Sequence, residues 1–315
     1  MASKPKIERL SDNYRPSERE IVRFKQCGNI SEIMYMEHRN TQISIRKVSD
    51  TEYIDLRQPT DDETGEIILH QFQRSENRAD NKAGVARSLA LGRDLINTNV
   101  TDVNNVRWIT LTYAENMTDP KRLYEDFKKF NMRLRYALGE HYEYIVAMEP
   151  QGRGAWHAHM LMIFDHKAPY IPNDTIATAW KQGFVTVKKL DDVDNVGAYL
   201  TAYLGDMDLD ECPCPINCIG KEVKEVEITD ENGNKKSKFF IKGARLHLYP
   251  PKFNMFRYSR GIKKPSVELM SNQRAEKKVS GATLTFEKTL KLSNGGETVK
   301  EFSTHINYRY YNTKR

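Results

Sequence analysis

Several features that define other protein classes are missing from this chain of 315 residues. It has only four cysteines, and three of them crowd together as Cys212, Cys214 and Cys218, so it lacks the dispersed cysteines of a disulfide framework. No apolar run approaches the roughly 20 residues that a membrane helix requires. The N-terminal sequence MASKPKIERL has no apolar segment of the kind that directs secretion. These absences exclude a helical membrane protein and a small disulfide-stabilised domain, and they predict a cytoplasmic protein with no membrane partner.

Nucleotide hydrolysis also lacks its usual signature, because no G-x-x-x-x-G-K-[ST] sequence occurs. What the chain does have is a basic balance, with 49 Lys and Arg against 43 Asp and Glu. The excess is concentrated between Lys235 and Lys264, where ten basic residues and six aromatic residues occur without one acid. This basic aromatic segment predicts a nucleic-acid partner, because cations neutralise phosphates and rings stack on bases. A solvated face beside a hydrophobic strand would have a similar composition.

The hydrophobic pattern predicts an α+β fold with a central antiparallel sheet flanked by helices. Strands rich in β-branched and aromatic residues alternate with amphipathic helices, and the short connection PQGRGA favours a hairpin. The predicted strands are Val106–Ala114, Glu143–Met148, Trp156–Phe164 and FVTVKKL, and the predicted helices are Ser75–Leu95, Asp119–Leu138, Asn173–Trp180 and Val193–Leu204. Small β-rich extensions are predicted at both ends, as a meander over Cys27–Arg57 and a hairpin of ATLTFEKTLKL with ETVKEFSTHINYRYY.

Two histidines mark the strand Trp156–Phe164. Because side chains alternate along a strand, His157 and His159 project from one face and Ala158 from the other. Glu149 ends the preceding strand, so the hairpin is expected to return its carboxylate beside the imidazoles. Two neutral imidazoles and one carboxylate, with positions left for water and substrate, suit a divalent catalytic ion. The alternatives are two hydrogen-bonded core histidines and an exposed hairpin carboxylate.

Two tyrosines form the next candidate group. Tyr199 and Tyr203 occur four residues apart in VGAYLTAYL, which places both phenols on one face of the predicted helix. Tyrosine is an unusual nucleophile because its pKa is about 10, so it needs a nearby base or a metal-polarised phosphate. Packing in the core is the competing interpretation, because aromatic residues at helical spacing are usually buried.

Taken in chain order, these sequences resemble a known array. WITLTY, then Glu149 with PQGRGAW and HAH, then VGAYLTAYL, are similar to the three motifs of HUH endonucleases, specifically of rolling-circle replication initiators. The similarity looks closest to initiators of plasmids, phages and integrative elements of Gram-positive bacteria. It extends to SENRADNKAGVARSLALGRDLINTNV before the first motif and to YPPKFNMFRYSRGIKKP after the tyrosine helix, and it covers about residues 73–266.

The resemblance implies a domain organisation. It assigns residues 73–266 to a nicking domain with a ferredoxin-like or RRM-like palm. Residues 1–72 and 267–315 are then β-rich N-terminal and C-terminal extensions.

The resemblance also implies the chemistry. Glu149, His157 and His159 would bind Mg²⁺ or Mn²⁺, and Tyr199 or Tyr203 would attack a phosphate of single-stranded origin DNA. The products would be a 5′-phosphotyrosine adduct and a free 3′-OH. Because transesterification conserves the phosphodiester bond, re-joining would require no ATP.

Further expectations concern partners. Single-stranded and origin duplex DNA are the implied ligands, and a host helicase and a host DNA polymerase are the implied protein partners in a bacterial cytoplasm. The predicted DNA contacts follow the tyrosine helix and are Arg257, Arg260, Lys263 and Lys264.

This chain departs from the relatives around the tyrosines. They usually carry lysines after both phenols, whereas Ala202 and Asp206 stand in those positions here. Either a basic residue from Arg257–Lys264 or the metal itself is expected to replace the missing cations.

The cysteines leave two interpretations. Relatives often bear an N-terminal zinc ribbon, but only Cys27 stands in that region, so no zinc is predicted there. Cys212, Cys214 and Cys218, with Cys27 or His247, would supply four zinc ligands. A loop of free thiols is the favoured interpretation, because Cys-x-Cys with two prolines is not a standard zinc knuckle.

Two other functions compete with a replication initiator. A relaxase or transposase would use the same metal and tyrosine chemistry, although the extended flanks favour an initiator. A non-enzymatic single-stranded DNA-binding protein would explain the basic aromatic segment but would leave the histidine pair and Glu149 without a role.

Overall fold

A computed structural model describes residues 6–38, 45–56, 58–190, 195–201, 204–211, 221–229, 235–294 and 302–314. Within these ranges the fold is α+β with antiparallel sheets, as the sequence predicted. The helices are α1 (Lys82–Asn99), α2 (Pro120–Leu138), α3 (Asn173–Trp180), α4 (Val196–Thr201) and α5 (Asn272–Lys278). None of these helices is long and apolar enough to span a membrane.

The strands of the described ranges are short, apart from the last two. They are β1 (Lys6–Arg9), β2 (Ile21–Cys27), β3 (Ile30–Met36), β4 (Ile45–Lys47), β5 (Glu52–Asp55), β6 (His70–Gln71), β7 (Val106–Thr112), β8 (Glu143–Pro150), β9 (Trp156–Ile163), β10 (Val185–Lys188), β11 (Met207–Asp208), β12 (Val223–Thr229), β13 (Lys235–Ile241), β14 (Phe256–Tyr258), β15 (Ser266–Ser271), β16 (Thr283–Asn294) and β17 (Phe302–Asn312).

The central sheet has five antiparallel strands in the order β10-β7-β9-β8-β14. β8 and β9 form the predicted hairpin, and its register places Ala147 opposite His159. On the other side of β9, Thr110 of β7 lies opposite the same histidine. Alternation along β9 buries Ala158 and Met160 against the main hydrophobic core. The sheet therefore has one fully apolar face and one face that carries the histidines.

α2 and α3 cover the apolar face. α2 begins at Pro120, where the Asp119 side chain accepts the N–H of Lys121, and it ends where Gly139 adopts a left-handed φ of 63°. A buried stripe then enters the core, and its members are Leu123, Phe127, Phe130 and Leu134. Both helices begin and end within two residues of their predicted limits.

α1 is shifted relative to its prediction, since it runs over Lys82–Asn99 instead of Ser75–Leu95. The Asn81 side chain accepts the N–H of Gly84 and starts the helix there, and a separate 3₁₀ turn precedes it. The sequence Asn97-Thr98-Asn99, which we expected to follow the helix, forms its last turn. The side chains of Asn97 and Asn99 bond to distant segments, so they do not terminate the helix locally.

The two ends of the chain share a six-stranded antiparallel sheet in the order β1-β16-β17-β3-β2-β15. The predicted C-terminal hairpin is confirmed as β16 paired with β17. Phe24, Ile33 and Tyr311 lie in a second hydrophobic cluster with residues of α5. Lys25 ties this sheet to α1, because its ammonium lies 2.8 Å from both Glu32 and Asp94.

The predicted N-terminal meander is wrong as a single unit. β3 pairs with β2 and β17, whereas β4 and β5 belong to a separate three-stranded sheet with β6. The apolar side chains of β3 are satisfied by the C-terminal strand, which local alternation could not indicate. A third small sheet, β11-β13-β12, carries part of the basic aromatic segment.

Candidate metal site

Three side chains with metal-ligand chemistry converge on the polar face of the central sheet. Oε2 of Glu149 lies 3.6 Å from Nε2 of His157 and 3.3 Å from Nε2 of His159. One ligand atom from each residue lies within 4.8 Å of the others. Within the described ranges, this is the one group of His, Cys, Asp and Glu side chains spaced to hold a metal ion.

The hairpin between β8 and β9 produces this arrangement. The N–H of Gln151 donates to the carbonyl of Ala155 at 2.7 Å, and Gly154 adopts a φ of 89° that closes the turn. Glu149 therefore pairs directly with His157 across the ladder. The metal-ligand triad, as we call Glu149, His157 and His159, thus follows from strand alternation and a short turn.

His159 is held as a neutral imidazole. Burial, with a smaller effect from the neighbouring His157, lowers the pKa of His159 to about 3 from its ordinary 6.5. Its Nδ1 lies 3.1 Å from Oγ1 of Thr110, which orients the ring and leaves Nε2 toward Glu149. A neutral, oriented imidazole is the form that binds a metal.

The chemistry of the donors fits a divalent cation. Two imidazole nitrogens and one carboxylate oxygen on one face leave coordination positions for water and substrate. A closed structural zinc site would need a fourth protein ligand.

Arg245 is a residue of this site that the sequence did not predict. It lies in a 3₁₀ turn over Ala244–Leu248, and its Nη1 forms an ion pair with Oε1 of Glu149. Both side chains are buried. Burial lowers the pKa of the Arg245 guanidinium. The only signal in the sequence was that Arg245 lies in the basic aromatic segment.

The helix predicted to carry the tyrosines lies against α1. The N–H of Gly197 donates to Oδ1 of Asn97 at 2.8 Å, and Nδ2 of Asn97 donates to Oδ1 of Asn195 at the same distance. The backbone of Tyr199 lies in α4, and Tyr203 lies outside the described residues. Asn97 therefore connects α1 to the start of the tyrosine helix.

The predicted DNA contacts do not form one patch with the triad. Arg257 lies over the ring of Tyr124 in α2, with its guanidinium carbon 3.4 Å from the centroid. The alternation of β14 therefore places it on the face of the sheet opposite the histidines. Arg260, Lys263 and Lys264 are exposed in the segment that follows, and Asn99 of α1 bonds to the backbone of Lys263.

Asp206, where relatives usually carry a lysine, has a structural contact. It is buried, and its carboxylate accepts the N–H of Gly243 at 2.8 Å and lies 3.3 Å from Nζ of Lys224. It thereby connects the chain after α4 to the sheet β11-β13-β12. Ala202 lies outside the described residues.

The cysteine cluster of the zinc alternative, Cys212, Cys214 and Cys218, also lies outside the described residues. Of its other candidate ligands, Cys27 is buried in β2, and Nδ1 of His247 contacts the carbonyl of Ala244. Burial raises the pKa of the Cys27 thiol to about 11, which disfavours the thiolate that zinc requires.

Comparison with known proteins gives one family match. Residues 106–208 match a family model of replication-associated proteins, the ORF2 type. The matched span begins with β7 and contains the metal-ligand triad, α4 and both tyrosines. No curated protein matches this chain. The match is consistent with the replication initiator that the sequence predicted.

Proposed function

We propose that this protein is a rolling-circle replication initiator that nicks and re-joins one strand of origin DNA. The observation that carries the proposal is the metal-ligand triad, whose ligand atoms lie within 4.8 Å of one another. The match of residues 106–208 to a replication-associated family supports it. The basic aromatic segment supplies residue types suited to nucleic acid.

Glu149, His157 and His159 would hold a Mg²⁺ or Mn²⁺ ion. When bound, the ion polarises a phosphoryl oxygen of the scissile phosphate. His159 is suited to this role because its imidazole is neutral and Thr110 orients it. Arg245 engages one oxygen of Glu149, which keeps the other oxygen directed at the imidazoles.

The nucleophile in this proposal is the phenol of Tyr199 or Tyr203, and we favour Tyr199 for the first attack. Its oxygen attacks the scissile phosphorus, and the bond from phosphorus to the 3′ oxygen breaks. The phenol loses a proton and the leaving 3′ oxygen gains one, so a 5′-phosphotyrosine adduct and a free 3′-OH result. One phosphodiester replaces another, so re-joining needs no nucleotide hydrolysis.

Two tyrosines would allow a second cleavage when replication returns to the origin. A host polymerase would extend the 3′-OH. A host helicase would open the duplex, because the chain has no G-x-x-x-x-G-K-[ST] sequence of its own.

The direct test is capture of a covalent adduct. The protein is incubated with a library of single-stranded oligonucleotides and Mn²⁺, and adducts are isolated under denaturing conditions and sequenced. We expect an adduct on one nick sequence, and none in excess EDTA. Binding without any adduct would instead identify a non-enzymatic single-stranded DNA-binding protein.

The metal triad is tested by combining His157→Ala with His159→Ala. This variant should lose Mn²⁺ binding and adduct formation while retaining duplex origin binding. His141→Ala is the matched control, because that imidazole is largely exposed and contacts Glu143 instead of the triad. Full adduct formation by the double variant would contradict the metal assignment.

The tyrosine pair is tested by phenylalanine variants. Tyr199→Phe and Tyr203→Phe should each retain some cleavage if the residues alternate, whereas the double variant should retain none. Phenylalanine preserves most of the packing, so the double variant should remain folded by circular dichroism. Cleavage by that folded double variant would remove both tyrosines from the mechanism.

A further inference from the structure

A cavity of about 260 Å³ opens beside the metal-ligand triad. Glu149 and His159 contribute to its wall, and so does Arg245. The remaining wall comes from the central sheet, from Ile96 of α1 and from Leu200 of α4. A ligand in this cavity would therefore contact both the triad and the helix that contains Tyr199.

Most of the wall is apolar, and three of its side chains are aromatic rings. They are Trp108 of β7, Phe240 of β13 and Phe256 of β14. The centroid of the Trp108 ring lies 6.0 Å from that of His159 in an edge-on arrangement. An apolar, aromatic cavity whose polar groups are restricted to one side suits a flat ring joined to an anionic group.

The size of the cavity restricts the occupant further. Pockets that take a drug-sized ligand usually have volumes of roughly 300–1,000 Å³, and this cavity is smaller. One nucleobase is a planar ring system of suitable size. Its attached phosphate would then lie toward the side where Glu149, His159 and Arg245 stand.

We propose that this cavity binds one base of the single strand next to the scissile phosphate, an inference that rests on the proposed nicking function. The base stacks against the rings of Trp108 and Phe240, and its backbone leads the phosphate to the metal-ligand triad. Because stacking is tolerant of base identity, the cavity fixes the position of the strand.

The structure also sorts the rings of the basic aromatic segment. Tyr249 and Phe253 are buried in the main core, whereas Phe240 and Phe256 line the cavity. Phe239 is 43% exposed and does not line the cavity, although it is the neighbour of Phe240 along β13. Phe239 and Phe240 therefore form a matched pair for mutagenesis.

Tryptophan fluorescence reports on this cavity directly. The chain has three tryptophans, and Trp156 and Trp180 are only 2% and 0% exposed. Trp108 is half-buried and lines the cavity. Quenching by an added oligonucleotide should therefore arise from Trp108, and Trp108→Phe should remove it.

The experiment compares two probes in EDTA, a short oligothymidylate and an abasic oligomer of the same length and charge. We expect the oligothymidylate to quench Trp108 and to bind about tenfold more tightly, the loss expected for one stacked base. Phe240→Ala should reduce this preference, and Phe239→Ala should retain it. The probe comparison uses the unmodified protein, so it stands even if the Phe240 variant fails to fold.

Equal affinities for the two probes would overturn the proposal. So would a folded Phe240→Ala variant with the preference and quenching of the parent protein. The measurement needs no covalent chemistry, so the two proposals fail separately. Adduct formation without base-dependent quenching refutes only the base cavity, whereas base-dependent quenching without an adduct refutes only the nicking function.

Discussion

Gly197 lies where α4 touches α1, and it provides a test of how strictly the tyrosine helix must be positioned. A Cβ atom at Gly197 would lie 2.4 Å from the carbonyl oxygen of Arg93 and 2.8 Å from Oδ1 of Asn97. Ordinary van der Waals contact begins at 3.4 Å. Because the nearest atom is helix backbone, Gly197→Ala should move α4 away from α1 by about 1 Å.

The magnitude of the effect follows from this displacement. Overpacking costs about 1–3 kcal/mol, and weakening the hydrogen bond from Gly197 to Asn97 adds about 1 kcal/mol. We therefore expect the free energy of unfolding to fall by about 3 kcal/mol. Misplacing a reacting group by about 1 Å costs about 100-fold in rate, so adduct formation should fall by about that factor. Mn²⁺ affinity should change less than about twofold, because β8 and β9 carry the ligands.

Three measurements check this prediction. Single-turnover adduct formation gives the rate, calorimetric titration gives Mn²⁺ affinity, and urea unfolding gives stability. Gly205→Ala is the matched control, because its Cβ would meet Leu246 at an ordinary 3.4 Å. If Gly197→Ala is folded and forms adduct at the rate of the parent protein, the positioning argument is refuted.

Three further predictions follow from charge and burial. In the metal-free protein the His159 imidazole should stay neutral as the pH falls through 6.5, since burial lowers its pKa to about 3, and an NMR titration midpoint near 6.5 would contradict this. Lys25→Met should destabilise the protein by about 3 kcal/mol in urea unfolding, because it leaves Glu32 and Asp94 buried without that partner. Burial opposes ionisation of Glu32, yet Lys25 and Arg23 hold its pKa below the ordinary 4.5, so this stabilisation should be present above pH 4.5 and be lost as the pH falls further. Combined Lys263→Glu and Lys264→Glu should weaken DNA binding and flatten its salt dependence, and an unchanged slope of log affinity against log salt would identify this surface as a solvated face.

The sequence by itself determined the elements of the central sheet and the meeting of the metal-ligand triad. Alternation along a strand places His157 and His159 on one face, and a short turn returns Glu149 to a position opposite His157. The Asp119-Pro120 start of α2 and the C-terminal hairpin were equally predictable. In each case the signal is local, because capping, alternation and turn geometry act over a few residues.

The tertiary structure alone decided which distant segments meet. Asn97 looked like part of a helix stop, yet it extends α1 because Gly197 and Asn195 satisfy its side chain. Arg245 joined the site because the turn after β13 packs beside β8, where Glu149 supplies its counter-ion. No local pattern specifies the partner of a buried polar or charged group, because such a partner is selected by the packing of the whole chain.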